Sequence, residues 1–119
     1  MFVRWQQAHS VDRSRHARER KDESARMRAI LVESVRVDGK PRQRHLAFLA
    51  SIERDQVSGD IARAAFWNDA RRALDRLGNQ ITLEDRSRIE AALAQRVKPL
   101  SRERQAAFDR QRAKMMAGL

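Results

Sequence analysis

The spacing of apolar residues changes character at Ile52. Before it, apolar positions alternate or run in short β-branched stretches; after it, they recur every three to four residues. Residues 1–7, Met1-Phe2-Val3-Arg4-Trp5-Gln6-Gln7, alternate weakly and predict a short strand. Ile30 to Val37 is rich in β-branched residues, and Asp38-Gly39 follows, the dipeptide that supplies positive φ to a type I′ hairpin turn. A second apolar stretch runs to Ile52, so residues 29–52 read as a β-hairpin. With Asp38 and Gly39 as the loop, Val37 pairs with Lys40, Glu33 faces Arg44 with opposite charge, and Leu31 faces Leu46. Pro41 cannot donate to a ladder, so the turn end should lie at a sheet edge or project beyond it.

Residues 58–116 read as helical. Ser58 is the expected cap of a helix over 59–77, with Ala62, Phe66, Ala70, Ala73 and Leu77 in one stripe and Trp67 and Leu74 beside it. Gly78-Asn79 stops it. Thr82, with Asp85 three residues on, opens a helix over 82–97 that Pro99 ends. Ser101 caps a third, Arg102 to about Met116, with Ala107, Phe108, Gln111 and Met115 in register. Its apolar side is thin, so it is expected to fray, lie outside the fold or complete a dimer. The pattern as a whole predicts an α+β fold: a small antiparallel sheet of the hairpin and the N-terminal strand, followed by two or three helices. Phe66 is expected to be buried against Leu46, Phe48 and Ile52.

Composition adds a partner to this picture. The chain has 119 residues, a single domain's length, with 26 Lys+Arg against 16 Asp+Glu and a net charge of +10. Such an excess favours a polyanion. The basic set is 22 Arg and only 4 Lys beside 18 Ala, a bias that a GC-rich genome also produces. Leu, Ile, Val and Phe make up about a fifth of the chain, too few for a core spanning all of it. Residues 8–28 are almost devoid of apolar side chains and read as a basic, flexible arm carrying Arg13, Arg15, Arg18, Arg20, Lys21, Arg26 and Arg28. No apolar run reaches membrane-spanning length and no secretory signal is read, so the cytoplasm is the default compartment.

Catalytic chemistry finds little to stand on. With no Cys, disulfides, thiol nucleophiles and Cys-based zinc sites are excluded; with no Tyr, so is tyrosine-based strand transfer. The four glycines stand alone, so there is no phosphate loop. His9, His16 and His45 have no metal-ligand spacing, and the acidic pairs Asp22-Glu23 and Glu84-Asp85 read as solvated charge or helix N-terminal compensation. No enzyme activity, metal or cofactor is expected. Phe66 and Trp67 read as core; Trp5 fits either packing or base stacking.

The hairpin carries the mechanism. Arg36, Lys40, Arg42 and Arg44 cluster at one end of a two-stranded ribbon, which fits the major groove of B-DNA, although the same charges also protect an edge hairpin from aggregation. Met1-Phe2-Val3-Arg4, the run Leu31-Val32-Glu33-Ser34-Val35-Arg36-Val37-Asp38-Gly39-Lys40-Pro41-Arg42-Gln43-Arg44, and Leu46-Ala47-Phe48-Leu49 together resemble the N-terminal region of DDE transposases of bacterial insertion sequences. The resemblance covers roughly a quarter of the chain and leaves residues 53–119 aside. This chain departs from it in the Arg-rich stretch His9 to Arg28, where such proteins have a short turn, and in ending at Leu119, before an RNase H-like catalytic domain is expected. The resemblance implies a mobile-element module or accessory protein and transfers no catalytic residue. The expected function is therefore non-catalytic binding of nucleic acid, duplex DNA foremost, by the basic hairpin and the Arg-rich arm. The alternative is a protein-binding adaptor or inhibitor that uses its Ala- and Met-rich helical surface. A homodimer or another protein would then meet residues 101–119, including Met115 and Met116.

Overall fold

The computed structural model describes residues 1–8 and 26–118. Three antiparallel strands, β1 (Phe2–Ala8), β2 (Arg26–Val37) and β3 (Lys40–Glu53), form a sheet in the order β1-β2-β3. Three helices follow: α1 (Asp60–Leu77), α2 (Leu83–Ala94) and α3 (Arg102–Ala117). The architecture is the expected α+β one. Strand β2 begins at Arg26, three residues earlier than the apolar pattern indicates, because backbone pairing with Glu53 continues past the last large apolar side chain. Arg26 and Arg28 therefore belong to the sheet and not to an arm. The expected arm residues Arg13, Arg15, Arg18, Arg20 and Lys21 lie outside the described residues.

The hairpin forms around Asp38 (φ 53°) and Gly39 (φ 77°), both left-handed as a type I′ turn requires. Val37 pairs with Lys40 and Glu33 with Arg44, as the turn chemistry predicts. Farther from the turn two register shifts occur, and the first, between Val32 and Leu31, makes Leu31 face Ala47 rather than Leu46. Each shift gives β3 one unopposed residue, Leu46 and then Leu49. The extra residues reverse the alternation twice. Leu49, Ala50 and Ile52 enter the core, whereas Phe48 shares its face with Ile30 on the side away from the helices.

The helices cover the other face. Phe66 and Trp67 of α1 are buried among Met27, Ala29, Leu31, Leu49 and Ile52 of the sheet and Ile89 and Leu93 of α2. Phe66 is core, as expected, but its neighbours on β3 do not include Phe48. Trp5 stacks on Phe66 at 5.9 Å between centroids, which assigns this ring to packing. The α1 cap is Gly59 rather than Ser58, and no side chain caps it. At the other end Gly78 has φ 52° and donates its N–H to the Asp75 carbonyl, stopping the helix. Thr82 and Asp85 form a reciprocal capping box, and Ser101 accepts from the Arg104 N–H to cap α3.

Helix α2 ends at Ala94, short of the expected residue 97, and the chain after it is tied to α1. Trp67 Nε1 donates to the Val97 carbonyl at 3.0 Å, and Arg63 donates to the carbonyls of Lys98 and Pro99. Helix α3 lies on α1 through Gln105, whose Nε2 donates to the Ala64 carbonyl at 2.9 Å, and through half-buried Phe108 and Asp109. Ala107, Gln111 and Met115, expected on its packed side, are exposed. The docked stripe runs through a buried glutamine, which an apolar count cannot register.

Candidate nucleic-acid interface

Strand β1 pairs with β2 only as far as Val32. The last five pairs of the hairpin, Glu33–Arg44 to Val37–Lys40, therefore continue past β1 as a two-stranded ribbon. Five pairs span about 17 Å at the usual strand rise. Pro41 sits within this projection on β3, an edge strand, where its missing N–H interrupts no inner ladder.

The pleat sorts the ribbon's cations between its two faces. Lys40, Arg42 and Arg44 pair with Val37, Val35 and Glu33 and share the side of the sheet on which the helices lie; Arg36 pairs with Pro41 on the other. Residues 40–45 are all exposed. Arg44 forms an ion pair with Glu33 at 2.6 Å. Among the described residues, Arg36, Lys40 and Arg42 have no acidic partner within ion-pair distance. These three belong to the last three pairs before the turn, so they share one tip and present positive charge on both of its faces.

Arg26 and Arg28 stand apart from that tip. Arg26 donates to Ser51 Oγ at 2.9 Å and lies 3.5 Å from the Glu53 carboxylate. Arg28 sits over the Phe48 ring, 5.1 Å from its centroid. One further cation escaped the sequence reading: Arg4, on the same face, donates to Gln43 Oε1 at 2.8 Å. Alternation along β1, with Phe2, Arg4 and Gln6 on one side, was the signal that could have found it. The chain leaves β1 at Ala8 and returns at Arg26, which pair with each other at the end of the sheet opposite the ribbon tip.

On the helices the charges are more often matched. Arg86 donates to Asp75 at 2.7 Å, a hydrogen bond that raises its pKa further, and also approaches Glu90. Arg88 pairs with Glu84, Arg104 with Asp60, and Arg112 with Asp69. Among the described residues no group of three or more His, Asp or Glu side chains is placed to hold a metal ion. No helix is long and apolar enough to cross a membrane.

No curated protein and no solved structure matches the chain. The family described as IS1634 family transposase, N-terminal domain, matches residues 15–80. That span takes in β2, the hairpin turn, β3 and all of α1, so the relationship continues well past the strands that first suggested it. With more than half of its residues so matched, the chain belongs to the family of IS1634-type transposase N-terminal domains.

Proposed function

We propose that this chain is a non-catalytic DNA-binding domain of mobile-element type that engages duplex DNA with the tip of its β-ribbon. The observation that carries the reading is the projection of the ribbon beyond β1, with Arg36, Lys40 and Arg42 exposed and unopposed by acids among the described residues. A ribbon of about 17 Å exceeds the ~8.5 Å depth of the major groove. Cations on both of its faces suit a groove walled by phosphates on either side. Arg44, already held by Glu33, contributes less. In this reading Arg13, Arg15, Arg18, Arg20 and Lys21 supply phosphate contacts from the segment between β1 and β2, which also contains four acidic residues.

The test is a titration of duplex DNA by fluorescence anisotropy at several salt concentrations. Replacing Arg36 and Arg42 together by Ala should weaken binding to all duplexes alike and flatten the slope of log K against log salt by about one to two units, from about 0.9 per phosphate contact. If either guanidinium reads a guanine edge, the loss concentrates on one base pair at about 1–3 kcal/mol. A folded double variant that binds like the parent overturns the ribbon assignment.

A further inference from the structure

The face of the sheet turned away from the helices has a composition of its own. Its first row is Phe2, Val32 and His45, and its second is Arg4, Ile30 and Phe48. A third row holds Gln6, Arg28 and Ser51. No acidic residue occurs in these three rows, and Arg36 continues the face toward the ribbon tip.

Ile30 and Val32 are only 4% exposed in the middle of this face, while Phe2 and Phe48 on the flanking strands are 41% and 42% exposed. The two rings sit on opposite edges of a three-stranded sheet and in adjacent rows, about 12 Å apart, two strand spacings across and two residues along. Arg28 lies against one of them with its guanidinium, and Arg4 is steered by Gln43 rather than neutralised by a carboxylate. The helical core lies entirely on the opposite side, built from Met27, Ala29, Leu31 and their neighbours.

We infer that this face is a stacking platform for an unpaired DNA strand, with Phe2 and Phe48 each taking one base and Arg4 and Arg28 neutralising the phosphates beside them. The inference rests on the reading of the chain as a DNA-binding domain and adds a second contact of different chemistry. A ribbon tip with cations and no aromatic ring can grip a duplex backbone but offers an unpaired base nothing to stack on. The open face has both elements that single-strand binding uses: exposed aromatic rings and, among the described residues, positive charge without an acidic partner at Arg4 and Arg28. Every base has a π-face, so such a site is tolerant of sequence. Arg28 holds a positive charge beside the Phe48 ring, which is still 42% exposed.

The competing explanation is that Phe2 and Phe48 merely shield Ile30 and Val32. Phe2→Leu with Phe48→Leu separates the two, because leucine still covers the apolar row but has no π-face. The probe is a fluorescent oligo-dT of about fifteen nucleotides, run beside a duplex of equal length. The double variant should melt within a few degrees of the parent, bind duplex as the parent does, and bind oligo-dT at least tenfold more weakly. Equal oligo-dT binding by parent and variant overturns the inference, as does a parent that binds duplex but not oligo-dT. Conversely, Arg36→Ala with Arg42→Ala that leaves oligo-dT binding largely intact while duplex binding falls shows that the two contacts are separate. Should the leucine variant not fold, photocrosslinking of an iodouracil-substituted oligonucleotide to the parent decides: adducts on Phe2 or Phe48 support the platform, and adducts only on the helices overturn it.

Discussion

The sheet and the helical half carry similar excesses of positive charge and dispose of them differently. Along α1, α2 and α3, Arg63, Arg86, Arg88, Arg104 and Arg112 each meet a carboxylate, and the cations without one among the described residues, Arg71, Arg72, Arg76, Arg102, Arg110 and Lys114, are divided between α1 and α3. Exposed pairs of this kind contribute little stability, a median of about 0–1 kcal/mol. Their main effect is to cancel the field locally. The sheet instead uses its two described ion pairs on Arg26 and Arg44, and among the described residues Arg36, Lys40 and Arg42 stand unopposed on a projecting ribbon. Net charge therefore does not locate a candidate anion site; the clustering of unmatched cations within three consecutive pairs of the ribbon does. The segment between β1 and β2 makes the same point, since residues 9–25 hold five basic and four acidic residues.

The comparison breaks most visibly at the core that joins the two halves. Phe66→Ala should cost about 3–5 kcal/mol, because its ring is buried between Trp5 and the sheet on one side and Trp67 on the other. A urea or thermal melt reads the loss; a midpoint shift of only a degree or two would mean the halves do not depend on each other for stability. Next in size is the hairpin turn. Gly39→Ala meets no neighbouring atom but forces a side chain into φ 77°, a strain of about 1–2 kcal/mol. It should loosen the ribbon and weaken duplex binding while leaving the helical content of the circular dichroism spectrum unchanged.

A smaller effect sharpens the charge argument. Arg86→Ala with Arg88→Ala removes as many charges as Arg36→Ala with Arg42→Ala, but from cations already matched by Asp75, Glu90 and Glu84. It should leave the salt slope of duplex binding unchanged and lower stability by less than about 1 kcal/mol per pair. An equal flattening from the helical variant would spread the interface over both halves.

The smallest effect is confined to the start of α2. Asp85 accepts the Thr82 backbone N–H and, with the Thr82 side chain, completes the capping box, which holds its pKa below the usual carboxylate value. A depressed folded pKa adds stability above the unfolded pKa of about 3.9, and that contribution fades as pH falls through the lower folded value. Asp85→Ala should remove this linkage and make the acid limb of the stability curve shallower. Thr82→Ala should cost about 1 kcal/mol near neutrality and keep the larger part of the linkage, because the backbone N–H at position 82 remains. Melting temperatures between pH 2 and 6 test both parts; an acid limb in Asp85→Ala as steep as the parent's would place the linkage at another carboxylate.

Much of the hairpin was legible because its determinants are local. Asp38-Gly39 sets the turn, the turn sets the register of the first six pairs, and the Glu33–Arg44 pair follows. Legibility ends at the first register shift. Nothing in Leu46-Ala47-Phe48-Leu49 distinguishes the residue that bulges from the one that pairs, and a slip of one residue sends a side chain to the other face. This is why Phe48, expected in the core, stands on the open face. The cations of the ribbon tip were found by the same local logic; Arg28 was misplaced in an arm because its strand is defined by partners more than twenty residues away.

The sequence alone therefore determined the features that a few neighbouring residues settle among themselves: the type I′ turn, the Thr82 and Ser101 caps, the stop at Gly78 and the apolar stripe of α1. Each rests on a backbone preference or a hydrogen bond spanning four residues or fewer. Only the tertiary structure decided where β3 bulges, which cations find an acid, that Trp5 packs on Phe66, and that α3 docks through Gln105 on the Ala64 carbonyl. Those outcomes depend on pairs separated by tens of residues. Their energies exist only once the sheet and helices have closed on each other, so no local window of sequence contains them.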